Sequence, residues 1–510
     1  MAPLPNQPPD GRVIIRMLMA AICSGLAYQA IGEVTHGLAG SRPNILIVIT
    51  DDQGYAQLGR HGHPWLRTPH MDRLYDESTR FSRFLVSPTC SPTRAALMTG
   101  RHPMRSGVTH TKYERERIPL NAATLPETLK KAGYATGIFG KWHLGDEEAY
   151  QPQNRGFDEA FIHGGAVIGM DYAGSCADAP GNSYFDPVIR HNGSFVKTKG
   201  YCTDVFFRAA LGWIRRQEQD GNPFFAYIAT NAPHGPFIAP AKNASYFRER
   251  GMSPDHAGFY GMVENIDENL GEMLARLESW GLLDDTLIIF MSDNGTVQAG
   301  ADKQGTKVGE DAAGNAMVAF NGGMNGYKGS VSEGGVRVPF FVRWPRKIES
   351  NRDIGVPAAH IDLLPTLAEI AGAELPPGLV EGRSLVSLID GSEAAWPQRY
   401  LITHAGRWDP GEEPNDHQWG NFAVRDDRFR FEKNKALYDM HADPRQKHNV
   451  ILEFPEVAEA MREAYDKWWR ETRPMLINES VPLSPTWPFH ESYNQQLQRE
   501  GIPAWEPEPL

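Results

Sequence analysis

Four unbroken apolar runs each end abruptly in polar or ionisable residues. Ile45-Leu46-Ile47-Val48-Ile49 runs into Asp51 and Asp52, and Tyr134-Ala135-Thr136-Gly137-Ile138-Phe139 runs into Lys141 and His143. Pro223 to Ala229 leads to Asn231 and His234, and Leu287 to Met291 leads to Asp293 and Asn294. A continuous β-rich run marks a strand buried on both faces, as in a parallel sheet, rather than the alternating pattern of a half-exposed one. In open α/β sheets ligands bind at the carboxyl ends of such strands, which is where all these polar residues fall. Adjacent carboxylates such as Asp51 and Asp52 are commonest in surface turns. Directly after a buried strand they repel each other unless a cation joins them, so a metal site is the favoured reading.

Amphipathic helices separate the strands. Leu125 to Ala132 precedes the second, Val205 to Glu218 the third, and Ala257 to Trp280 the fourth, with Met262, Ile266, Leu270, Met273 and Leu277 on one face of the last. This βα alternation predicts an α/β fold: a large, mostly parallel mixed sheet flanked by helices on both faces. Residues 296–325 are Gly-rich and read as a long functional loop leading to Lys328. A further strand at Phe340 to Trp344 and a helix from Asp362 to Ala371 close this domain, set at 40–390. Residues 391–480 read as a small C-terminal α+β subdomain with short antiparallel strands and a helix from Pro455 to Glu471. The Pro-rich segment 481–510 reads as an extended tail without its own core.

Cys90-Ser91-Pro92-Thr93-Arg94 opens a short helical run, Ala95 to Met98, with Gly100 placed to end it. Pro92 suits a first turn. Cys90 then lies at the positive end of the helix, with Arg94 one turn on and able to reach back. A buried structural thiol needs no such arginine, whereas a thiolate nucleophile gains from both features. Cys-x-Pro-x-Arg followed by Leu-Met-Thr-Gly-Arg resembles the signature of the type I sulfatases, arylsulfatase-like members of the alkaline phosphatase superfamily.

That resemblance extends in order from about Pro43 to Arg470, and it implies a site. Cys90 matches the cysteine that is oxidised to formylglycine, whose hydrated aldehyde is the nucleophile. Asp51, Asp52, Asp293 and Asn294, together with the residue at Cys90, match the ligands of one calcium ion. Hard oxygen donors suit Ca²⁺ or Mg²⁺ better than zinc. Arg94 matches the residue that holds the formylglycine. Lys141 and His143 match a pair contacting the nucleophile and the sulfate, and His234 and Lys328 match the pair at the sulfate and the leaving oxygen. His163 lies in a segment similar to family sequences near the substrate. His404, Arg407 and His417 are candidates for the pocket mouth. The implied reaction is hydrolysis of a sulfate ester, on an aryl alcohol or a carbohydrate, to the alcohol and inorganic sulfate. A separate maturation enzyme that converts Cys90 is the implied partner. A phosphodiesterase or phosphonate monoester hydrolase of the same superfamily is one alternative, and an inactive secreted binding protein on this scaffold is another.

The net charge of −12 argues against a nucleic-acid partner. An acidic chain acting on an anion must gather its positive charge locally. Arg12 and Arg16 precede an apolar run from Met17 to Ala30 that is short for a membrane span, so residues 1–39 read as a signal peptide and the protein as secreted or periplasmic. In an oxidising compartment Cys176 and Cys202 are then available to pair, leaving Cys90 alone.

Overall fold

The computed structural model describes residues 37–510 apart from positions 171, 173, 298–303 and 393–395. The export segment expected over residues 1–39 lies almost wholly outside the described residues. A ten-stranded sheet organises the chain. In chain order its strands are β1 (Asn44–Thr50), β2 (Thr79–Phe81), β4 (Ala135–Lys141), β5 (Glu159–His163), β6 (Val188–His191), β7 (Ser194–Lys197), β8 (Phe224–Ala229), β9 (Thr286–Ser292), β13 (Phe340–Arg343) and β14 (Arg352–Ile354). Short strands β3 (Phe84–Leu85), β12 (Arg337–Val338) and β15 (Ala358–Ala359) form a small sheet of their own. The large sheet runs β14-β2-β13-β9-β1-β8-β4-β5-β6-β7. Its centre, β9-β1-β8-β4-β5, is parallel throughout.

Alternation along β1 explains why its run is apolar at every position. Ile45, Ile47 and Ile49 enter one core with Leu97, Leu129 and Leu367, while Leu46 and Val48 enter the other with Phe206, Ile266 and Leu270. Each such side chain contributes about 2 kcal/mol by leaving water. The helices Cys90–Thr99, Leu125–Lys131 and Leu363–Ala371 cover the first face, and Cys202–Asp220 and Pro254–Ser279 cover the second. The α/β sandwich expected from the strand runs is therefore the fold.

Register brings the strand ends level. Thr50 is paired with Ser292, Ile49 with Ala229, Gly140 with Ala229, and Lys141 with His163. The residues that follow β9, β1, β8 and β4 thus lie level along one edge of the sheet, each strand end one spacing from the next. Gly140 makes the β4–β8 approach possible. Its φ is +111°, and a Cβ there would lie 2.0 Å from the Ala229 carbonyl oxygen. Gly140→Ala is expected to cost about 3 kcal/mol or more, because the obstacle is backbone and cannot yield. Thermal melts of the purified variant, paired with activity, check this: a wild-type midpoint would contradict it.

Within residues 296–325 the expected loop contains a hairpin, β10 (Lys307–Glu310) and β11 (Ala316–Val318). The C-terminal part holds an antiparallel sheet of β16 (Leu401–His404), β17 (Phe422–Arg425), β18 (Phe429–Glu432) and β19 (Ala436–Asp439). The helix Pro455–Thr472 packs on it through Met461, Tyr465 and Trp469. Buried Arg430 ties this part to the segment after Lys328, donating to Glu333 at 2.8 Å.

Two expectations are corrected. Residues 481–510 are not simply extended: Pro488–Arg499 is a helix, seated by buried Phe489 against Ala177 and Phe195. Beyond it Lys197 of β7 bonds to Pro503 and Trp505, so the tail covers the edge of the sheet. The prolines lie on both sides of a run that can form a helix. Cys176 and Cys202 are separate buried thiols rather than a bridge. Cys176 Sγ donates to the Thr111 carbonyl at 3.4 Å, while Cys202 begins a helix with its thiol pushed up to about 12 by burial.

Candidate active site

The helix Cys90–Thr99 forms as its sequence dictates. Thr89 is extended, Pro92 lies in the first turn, and Gly100 takes the left-handed conformation at φ 64°, donating to Ala96. All ten helical residues are buried. Cys90 opens the helix at the level of the strand ends, and its Sγ lies within 4.8 Å of carboxylate oxygens of Asp51 and Asp293. Burial pushes its thiol up, and Lys141 and Lys328 offset this only in part. The helix end therefore does not yield a ready thiolate, which disfavours the simple thiol nucleophile.

Three carboxylates meet here: Asp51, Asp52 and Asp293, each essentially buried. The Asp52 N–H donates to Asp293 Oδ1 at 3.2 Å, and Asn294 Nδ2 donates to Asp52 Oδ1 at 2.7 Å. Lys141 Nζ is 2.6 Å from Asp51 Oδ2, and Lys328 Nζ is 2.8 Å from Asp52. Burial and then the neighbouring Asp51 hold the Asp293 carboxyl above its ordinary range, against Arg94 and Lys141. For Asp52, burial is outweighed by Lys328 and His234, and the carboxyl stays below its ordinary range.

These residues fit a hard cation. Asp51 Oδ1 and Asn294 Oδ1 are buried and accept no hydrogen bond among the described residues. Two oxygens so placed beside repelling carboxylates are what Ca²⁺ or Mg²⁺ satisfies, and the set contains no pair of histidines to favour zinc. Of the expected ligands, Asp51, Cys90 and Asp293 form one close group, and Asp51 and Asp52 form another with His234, which was not among them.

Arg94 ties the helix to two strand ends. Its guanidinium donates to Asp293 Oδ2 at 2.8 Å and to the Lys141 carbonyl at 3.1 Å. One helical turn carries it past Cys90 to the end of β9. It fixes a carboxylate and the end of β4, and Cys90 also acts on it electrostatically.

The two histidines are set by backbone carbonyls. His143, at φ +59°, brings Nε2 to 2.8 Å from the Thr111 carbonyl oxygen, so this nitrogen carries the hydrogen. Nδ1 is left bare and without a partner among the described residues. Burial and Lys141 hold His143 well below its ordinary pKa, hence neutral. His234 is the converse. Its Nδ1 lies 2.7 Å from the Gly235 carbonyl, and its Nε2 faces Asp52 Oδ2 at 3.6 Å. Burial and then Lys328 lower its pKa.

The remaining candidates divide. His163 is fully buried on β5 beside Lys141, its ring stacked on Phe206 at 6.0 Å, and the charges of Lys141, Arg94 and His234 act on it. His404 is buried among Tyr465 and Trp469, and His417 pairs with Glu412 at 3.1 Å. Arg407 is exposed. The positions that sequence reasoning missed are Thr111 and Gly235, which fix the histidine tautomers through main-chain carbonyls. A backbone group of any residue type leaves no sequence signal.

The sulfatase family model matches residues 43–373, and a model of the N-sulphoglucosamine sulphohydrolase C-terminal region matches 327–471. The chain is 32% identical over 376 residues to N-acetylgalactosamine-6-sulfatase of Canis lupus familiaris, a match spanning 70% of this chain and 68% of that protein. It is 31% identical over 441 residues to arylsulfatase A of Homo sapiens, spanning 80% and 79%. The crystal structure of Ps i-CgsB in complex with k-i-k-neocarrahexaose superposes with a TM-score of 0.73 at 27% identity, covering 90% of this chain and 98% of that one. With the signature helix, the buried carboxylates and the histidine pair found together at one sheet edge, this chain belongs to the sulfatase family of sulfuric ester hydrolases.

Proposed function

We propose that the protein hydrolyses the sulfate ester of a carbohydrate or an aryl alcohol, using Cys90 in its formylglycine form and one calcium ion. The observation carrying this reading is the pair of unpartnered buried oxygens, Asp51 Oδ1 and Asn294 Oδ1, beside a cysteine at a helix N-terminus. Asp51, Asp52, Asp293 and Asn294 would hold the cation. When bound, it supplies positive charge that favours an anionic oxygen nucleophile and offsets charge on the sulfuryl group. The hydrated aldehyde supplies two hydroxyl oxygens on one carbon, one to attack sulfur and one to expel sulfate.

The residues around them have defined tasks. Lys141 and Lys328 place two ammonium groups where sulfuryl oxygens develop charge. Arg94 keeps Asp293 oriented. His143, neutral with a bare Nδ1, is the base that takes the proton released as sulfate leaves. His234 turns Nε2 toward the departing alcohol oxygen, and the ammonium of Lys328 beside it is the group that carries a proton there. Export of the chain and its conversion by a maturation enzyme belong to the same reading. None of the described helices is long and apolar enough to cross a membrane.

Sulfate release measured by ion chromatography over a panel of aryl sulfates and sulfated oligosaccharides tests the activity. Release from at least one member, abolished without calcium, is expected. Hydrolysis of phosphonate or phosphodiester substrates with no sulfate released from any member would overturn it.

A further inference from the structure

Between the catalytic residues Lys328 and His143 the rim of the site is built from two segments whose cations Arg407 and Lys112 have no carboxylate partner among the described residues. The first is Ala405 to Trp408. Its backbone is held at several points: Ala405 N–H donates to Asn421, Arg407 N–H donates to Thr109 at 3.0 Å, and the Trp408 carbonyl accepts from buried Arg115 at 2.8 Å. Gly406 lies so close to Thr109 that a Cβ would fall 2.2 Å from its carbonyl oxygen. Within this fixed segment Arg407 adopts φ +61°, a left-handed conformation unfavourable for a residue with a Cβ. Its exposed guanidinium lies alongside Gly329, with Nη1 3.8 Å from the Cβ position of that glycine, next to Lys328. It forms no ion pair among the described residues.

The second segment is His110 to Tyr113. Thr111 supplies the carbonyl that fixes His143. Lys112 stands over Tyr113 at 4.4 Å and Tyr172 at 5.1 Å, and it too has no carboxylate partner among the described residues. Buried His110 opens this segment, and the charges acting on it are all cations: Arg407, Lys112 and Arg115. Of these only Arg115 is matched, by Glu479 at 2.9 Å. In a chain of net charge −12, two cations with no carboxylate partner among the described residues, on one arc of the site rim and one at a strained but fixed position, are a built anion-binding feature rather than general surface charge.

We infer that Arg407 and Lys112 form a second anion subsite, which selects carbohydrate substrates bearing a carboxylate or second sulfate about one sugar unit from the ester that is cleaved. Tyr113 and Tyr172 flank Lys112 and offer aromatic faces to a sugar ring. This inference rests on the sulfatase reading and narrows it to polyanionic glycans. Arg407 and Lys112 touch the substrate remote from the reacting sulfur, so they set its selection rather than the chemistry.

The test uses the full, calcium-loaded chain and three disaccharides with the same scissile sulfate: one with no other charge, one with an added carboxylate, and one with an added sulfate. Wild-type kcat/KM should favour one or both dianionic substrates by roughly tenfold, and the preferred arm identifies the anion. Arg407→Gly, which suits the positive φ, and Lys112→Met should each cut that ratio by about fivefold or more, whereas Arg407→Lys should keep most of it. A wild-type ratio near one, or a ratio unmoved by either substitution, overturns the subsite. If no disaccharide is desulfated, calorimetric binding of the same three to the Cys90→Ala chain decides separately. Tighter binding of a dianion that is lost in the Cys90→Ala/Arg407→Gly chain upholds the subsite while turnover fails, and equal binding of all three rejects it.

Discussion

Cys90→Ser is expected to lower kcat/KM by about 10³-fold or more when made in a host that oxidises only cysteine, with little change in the thermal midpoint. The substitution keeps a small group with an oxygen at the helix N-terminus, so packing is nearly preserved. What is lost is the second oxygen on the same carbon, and with it the internal route for expelling sulfate. A plain serine ester would leave water to attack a crowded sulfur. The tryptic peptide Phe84–Arg94 carries the decision. In active wild-type protein its mass should show oxidation of Cys90 to the aldehyde, in proportion to activity across expression hosts. Full activity with intact cysteine, destroyed by alkylating reagents, would replace this chemistry by a thiolate mechanism.

Calcium dependence separates two neighbouring residues that sequence alone treats alike. Asp293→Ala removes both a proposed cation ligand and, among the described residues, the only carboxylate bonded to Arg94, which is 1% exposed. An isolated buried guanidinium costs about 3–5 kcal/mol, so this variant should lose calcium, activity and a large part of its stability together. Asn294→Ala removes the unpartnered Oδ1 and one hydrogen bond to Asp52, a structural cost of about 1 kcal/mol. It should weaken calcium binding by roughly 10–100-fold while the melt stays near wild type, with activity recovered in part at high calcium. Calcium titration of chelator-treated protein and parallel melts measure both. Wild-type calcium affinity in Asn294→Ala, or two zinc ions in the active protein, would refute the assignment.

The large architecture was legible because burial on both faces leaves a plain trace. Residues 45–49 could only be a central strand, and the polar residues after each such run had only one sheet edge to occupy. Likewise the helix opened by Cys90 and stopped by Gly100 followed from local chemistry. What escaped was non-local. The partner of Arg94 is 199 positions away, at the end of β9. Thr111 acts through its carbonyl, and Gly140 through its lack of a side chain. The helix at Pro488 was masked by a proline-rich neighbourhood. Cysteine counting suggested a bridge where Cys176 and Cys202 each have a separate buried setting.

The burial of the entire helix from Cys90 to Thr99 makes timing part of the chemistry. No modifying enzyme can grip Cys90, Pro92 and Arg94 once the first core has closed around them. On the proposed chemistry, conversion and folding compete on the same nascent chain, and the yield of working enzyme is set by the ratio of their rates. A substitution that speeds collapse of the first core should lower the aldehyde content even as it raises the amount of folded protein. Incubating native, unconverted protein with the maturation enzyme should leave the Phe84–Arg94 peptide unchanged, and adding that enzyme during refolding from denaturant should not.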